Sequence, residues 1–78
     1  MPDLEQERAA LLKADQAIAD GERRVTEQKI RIRQLIARGE DTTDALETLR
    51  ILRESLEIWR EHRQSIVDTI ARLTARSG

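Results

Sequence analysis

The sequence has no cysteine, no phenylalanine and no tyrosine, and it has one tryptophan, one proline and one histidine. Each absence excludes a class of chemistry. Without cysteine there are no disulfides, thiolate nucleophiles or thiolate metal sites, and such usage fits a reducing compartment. Trp59 is the sole aromatic, so the chain has no set of rings on which nucleic-acid bases could stack. His62 has no paired carboxylate at ligand spacing, which leaves neither a metal site nor a general base to expect. There is no phosphate loop, no cofactor-binding motif and no clustering of nucleophile, base and oxyanion donor, so the expectation is a protein that is not an enzyme. Long apolar runs are missing too. No stretch approaches the ~20 residues needed to span a bilayer. The start, Met1-Pro2-Asp3-Leu4-Glu5, is acidic where a secretory signal would be basic and then apolar. The expectation is a cytoplasmic protein with no membrane association. A net charge of −1 gives no global field to draw in nucleic acid.

What is present is the vocabulary of helices. Ala, Leu, Glu, Gln, Lys and Arg dominate, and these favour helix as strongly as aromatic and β-branched residues favour strand. Charged residues make up 37% of the 78, which leaves little to bury. Small chains without disulfides or metals commonly gain stability by oligomerising. One break divides the chain, at Arg38-Gly39-Glu40-Asp41-Thr42-Thr43-Asp44. Gly39 suits the left-handed position just past a helix end. Asp41 is placed to cap a second helix, with Asp44 completing an imperfect capping box. Asp3 is placed to cap the first, with Gln6 three residues on. The reading is a single domain over 1–78, with helix 3–38, turn 39–42 and helix 43–75, and with residues 75–78 expected to fray.

Both segments carry heptads. Leu4, Leu11, Ile18, Val25 and Ile32 recur every seven residues in the first, with Glu7, Ala14, Gly21, Gln28 and Leu35 at the companion positions. In the second, Ala45, Leu49, Leu52, Leu56, Trp59, Arg63, Ile66, Ile70 and Leu73 alternate by four and three, and only Arg63 breaks the apolar run. A short turn forces the helices antiparallel, so facing residue numbers sum to about 80. That pairing sets Leu35 against Ala45 and Leu46, Ile32 against Leu49, Val25 against Leu56, Ala14 against Ile66 and Leu11 against Ile70. It sets Ile18 against Arg63, with Asp15 and Glu22 as Arg63's expected partners. It also sets Gly21, the smallest residue, against Trp59, the largest, which suggests that the mid-helix glycine makes room for the indole; a hinge or kink in helix one is the alternative.

Charge supports the same arrangement. Residues 1–21 carry five acids and two bases, and 22–38 carry two acids and six bases. Residues 40–57 carry six acids and two bases, and 58–78 carry two acids and four bases. Folding at Gly39 sets basic beside acidic, which selects against wrong registers. Each helix reads as acidic at its start and basic at its end, as the macrodipole prefers.

Two surfaces compete for a role. Arg23, Arg24, Lys29, Arg31 and Arg33, with Arg38, form a basic cluster on helix one that would serve a regulator binding nucleic acid. Glu22 and Glu27 interrupt it, and the plainer reading is a solvated face neutralised by the second helix. The other surface is apolar. Ile51 and Ile58, with Thr48, Ser55 and His62, lie off the main seam of helix two, and Ala10, Ala14 and Ala17 form a small-residue strip on helix one. Leu12 and Ile30 lie outside both. A lone hairpin buries one stripe per helix, so extra apolar positions beside the seam imply a second contact surface. Ile51, Ser55, Ile58, Trp59 and His62 are its expected centre. The expected partner is a second copy, and a heterologous partner helix is the rival.

The stretch Ile18-Ala19-Asp20-Gly21-Glu22-Arg23-Arg24-Val25, the turn Arg38-Gly39-Glu40-Asp41-Thr42, Leu52-Arg53-Glu54-Ser55-Leu56 and Arg60-Glu61-His62-Arg63 together resemble short helical-hairpin proteins of alphaproteobacteria, over roughly residues 15 to 66. That group has no established activity, so the resemblance implies a bacterial hairpin coiled coil and no functional residues. In architecture the chain is also similar to the small hairpin-dimer regulator of plasmid copy number, which binds RNA, but fold does not transfer function. The composite expectation is an all-α antiparallel hairpin that dimerises into a four-helix bundle and acts as an interaction or scaffolding module.

Overall fold

A computed structural model describes residues 3–77, of which α1 takes Leu4–Ala37 and α2 takes Thr43–Ser77. The two helices pack against each other as an antiparallel hairpin. The result is a rod of 61 × 16 × 14 Å with a radius of gyration of 17.7 Å. A compact globule of this length would have a radius of gyration near 12 Å.

The ends of both helices follow from local chemistry. Asp3 sits in extended conformation and its carboxylate accepts the backbone N–H of Gln6 at 2.8 Å. This satisfies one of the orphan donors of the first turn. At the other end of α1, Gly39 adopts φ 70°. The Gly39 N–H donates to the Ile36 carbonyl at 3.0 Å and the Glu40 N–H to that of Leu35 at 2.9 Å. This paired closure needs a left-handed residue, which glycine adopts without a Cβ penalty. α2 begins differently from the expected box. The Asp41 carboxylate accepts from the Thr43 backbone N–H at 3.0 Å and from its hydroxyl at 2.7 Å. The Leu46 N–H then starts the helical ladder at the Thr42 carbonyl. Asp41 therefore makes a turn one residue ahead of the cap, which its short side chain favours.

Two expectations at the ends are corrected. The last turn of α1 carries no basic residue, because the helix stops at Ala37 and Arg38 becomes the cap. α2 extends to Ser77, two residues past the expected boundary at 75, while Gly78 lies outside the described residues.

The core is one seam. Val25, Ile32, Ala45, Leu49 and Leu56 form a buried cluster with Ile18, Leu35 and Leu52 packed on it, and Ala14 and Ile66 are buried toward the open end. Leu46, expected opposite Leu35, is half exposed instead. Among the described residues no large side chain is fully buried. Gln28, a polar side chain at a seam position, crosses the hairpin to donate to the Ala45 carbonyl at 2.9 Å. Arg63 Nε donates to Asp15 at 2.5 Å, which ties the open end together.

The pairing of Gly21 with Trp59 is also corrected. A Cβ placed on Gly21 would meet Leu56 first, with Cδ1 at 3.1 Å and Cβ at 3.8 Å. The same Leu56 packs in the cluster with Val25. A knob inserts between successive turns of the facing helix, so it touches residues on both and no single sum of residue numbers holds. The room left by Gly21 is taken by Leu56.

Two predictions follow from this packing. The tight atom at Gly21 is the tip of a flexible side chain, and the groove between Ala17 and Ser55 opens beside it. Gly21→Ala therefore gains helix propensity at small steric cost and should raise Tm by about 3–6 °C. A lowered Tm would mean that Leu56 cannot yield and that the close approach itself requires glycine. The second prediction concerns acid. Hydrogen bonds from Arg23, from Thr43 and from Arg50 hold the carboxyls of Asp20, Asp41 and Glu47, respectively, below their ordinary values. A depressed folded value means that the contribution is present above the unfolded value, near 4, and is lost as pH falls through the folded one. Thermal melts should be flat from pH 7 to about 5 and shift downward below about 4. A melting temperature that holds steady down to about pH 2 would rule out a structural part for these three groups.

Candidate association interface

The two broad sides of a two-helix rod differ here in chemistry. On one side a groove runs between the helices. Ala17, Asp20, Gly21 and Arg24 of α1 and Leu52, Ser55, Leu56 and Trp59 of α2 line it. It is wide because α1 offers only small side chains at Ala17 and Gly21. Ile51 and Ile58 flank Ser55 at i−4 and i+3, so they stand along its outer edge on the α2 side. They are 51% and 65% exposed, although both are large and apolar. His62 completes the strip one turn beyond Ile58, and its ring meets that of Trp59 edge-on, with centroids 5.7 Å apart and planes at 69°. Toward the turn the same side becomes polar, with Gln28, Arg31, Asp41, Asp44 and Thr48 around a second hollow.

The five α2 residues singled out from the sequence therefore share one side with a groove that the sequence did not disclose. Ser55 and Trp59 line it, and Ile51, Ile58 and His62 border it. Of the small-residue strip, Ala17 joins the groove and Ala10 is half-buried, but Ala14 is fully buried in the seam. Gly21 lines this groove as well as facing the seam. Its spacing of four from Ala17 on one helix face was the available signal of a shallow wall.

The basic residues come together less well. At 100° per residue, Arg23, Arg24, Lys29, Arg31 and Arg33 spread over about 220° of the α1 circumference. Arg23 pairs with Asp20 and with Glu27 at 2.9 Å, and Arg24 pairs with Asp20 at 3.0 Å. Asp20 and Glu27 raise the already high pKa of Arg23 by hydrogen bonding to its guanidinium. Two of the five cations thus spend charge within their own helix. Leu12 and Ile30 are exposed on the outer side of α1, and Ile36 and Leu46 are exposed beside the turn.

No helix among the described residues is long and apolar enough to cross a membrane. Compared with known protein families, curated proteins and solved structures, the chain matches none.

The Arg63–Asp15 pair is a cross-hairpin ion pair at a position where the heptad calls for an apolar residue, and its side chains are 41% and 48% exposed. Such a pair contributes little energy, but a charge at a seam position disfavours alternative alignments. Arg63→Leu should change the oligomer mass or the hairpin register, read by light scattering and by the pattern of amide exchange. No change in either would show that the pair has no part in specificity.

Proposed function

We propose that this chain is a non-enzymatic protein that self-associates through the Ile51–Ile58 side of the hairpin into a four-helix bundle, and that it serves as an interaction or scaffolding module. The observation that carries this reading is the pair of exposed isoleucines, Ile51 and Ile58, beside an open groove. Its surface area supports the same reading. A compact monomer of 9.0 kDa exposes roughly 4,850 Å², and this chain exposes 6015 Å². The excess, about 1,150 Å², is comparable with the ~800 Å² that each partner contributes to an interface of standard size. A second hairpin laid on this side would bury the isoleucines and close the groove, leaving the charged outer faces in water.

Light scattering tests the reading directly. The wild-type chain should run at about 18 kDa, twice its 9.0 kDa. Ile51→Glu and Ile58→Glu each bring a carboxylate into the contact, where desolvating an unpaired charge costs several kcal/mol. Both variants should fall to the monomer mass with helical content retained, because both sites are exposed in the hairpin. A wild-type monomer at micromolar concentration would overturn the proposal.

A further inference from the structure

We infer that the second copy docks with its α2 antiparallel to the first α2, about a two-fold axis at Ser55. This rests on the self-association proposed above and adds its geometry. Three observations support it. The first is spacing. Ile51 and Ile58 stand four residues before and three residues after Ser55. A two-fold axis at Ser55 therefore seats Ile51 of each copy against Ile58 of the other, as a self-complementary contact requires. The second is size. Ser55 is small, exposed and borders the groove, so the two helices can approach where they cross. The third is charge. Residues 40–57 carry six acids and two bases, a net −4, and residues 58–78 carry two acids and four bases, a net +2. About an axis at Ser55, residues 43–52, with two acids and one base, face the partner's residues 58–67, with one acid and two bases, and Glu47 comes next to the partner's His62. A parallel pair sets like beside like, which complementary interfaces avoid.

The chain has no cysteine, so single introduced cysteines report geometry without background. Ser55, Thr48 and His62 are all exposed in the hairpin, and each is replaced by cysteine alone. Under mild oxidation Ser55→Cys should form a covalent dimer, because the axis brings the residue to its own copy. Thr48→Cys and His62→Cys should each fail to link to themselves. Residue 48 lies about 21 Å from its own copy along the antiparallel pair, beyond the ~7 Å Cα limit of a disulfide. An equal mixture of Thr48→Cys and His62→Cys, refolded together, should link one to the other. Self-linking of all three would establish parallel docking and overturn the inference while leaving the dimer intact. A dimer by light scattering with no link at any position would place the contact on another face, with the same consequence. A monomer in light scattering would overturn the proposal beneath it.

Discussion

Two helices share one seam, and everything else in this structure is a consequence of that limit. A helix in a larger domain can bury a broad stripe against several neighbours. Here each helix has one neighbour, so only a narrow row of side chains leaves water. The seam positions are spent well, with Val25, Ile32, Leu49, Leu56 and Ile66 buried, yet no large side chain is fully enclosed among the described residues. Apolar residues off the row have nowhere to go within the chain. Ile51 and Ile58 are therefore exposed by geometry rather than by poor packing. The rod shape, the excess surface and the open groove are three expressions of the same shortage of neighbours.

The seam was legible in the sequence because it depends on period alone. Apolar residues at alternating steps of three and four identify the buried row, and a single glycine between two such rows identifies the turn. What depends on depth and angle was not legible. The contact of Gly21 with Leu56 depends on how far a knob enters between turns, which residue sums cannot express. The groove depends on the distance between two backbones, set jointly by Ala17 and Gly21 on one helix and by the rotamers of Leu56 and Trp59 on the other. The basic cluster is a feature of linear order. Five cations within eleven positions look like a patch on a string, but a helical pitch distributes them around the cylinder.

Charge in this molecule acts at two ranges. At short range, arginines pair one turn away: Arg23 with Asp20 and Glu27, Arg50 with Glu47 and Glu54. These exposed pairs are individually weak and their groups are already satisfied locally. At long range there is a gradient along each helix, with acids in the first half and bases in the second. Any antiparallel neighbour is favoured by that gradient and any parallel neighbour is disfavoured. The gradient thus favours the hairpin's own fold and the proposed docking of a second hairpin by the same rule.

The division of labour between the two kinds of surface follows from their magnitudes. Burial of an isoleucine is worth roughly 1.5–3 kcal/mol and is insensitive to salt. An exposed ion pair is worth at most about 1 kcal/mol and is screened within a Debye length of about 8 Å at physiological ionic strength. Strength of association would therefore come from Ile51, Ile58 and the indole of Trp59, and orientation from the charged halves. A surface built this way remains assembled in high salt but loses its preference for one alignment. At that point the Arg63–Asp15 pair, with both side chains nearly half exposed, is screened like the others, and the hairpin's own register rests on the apolar seam.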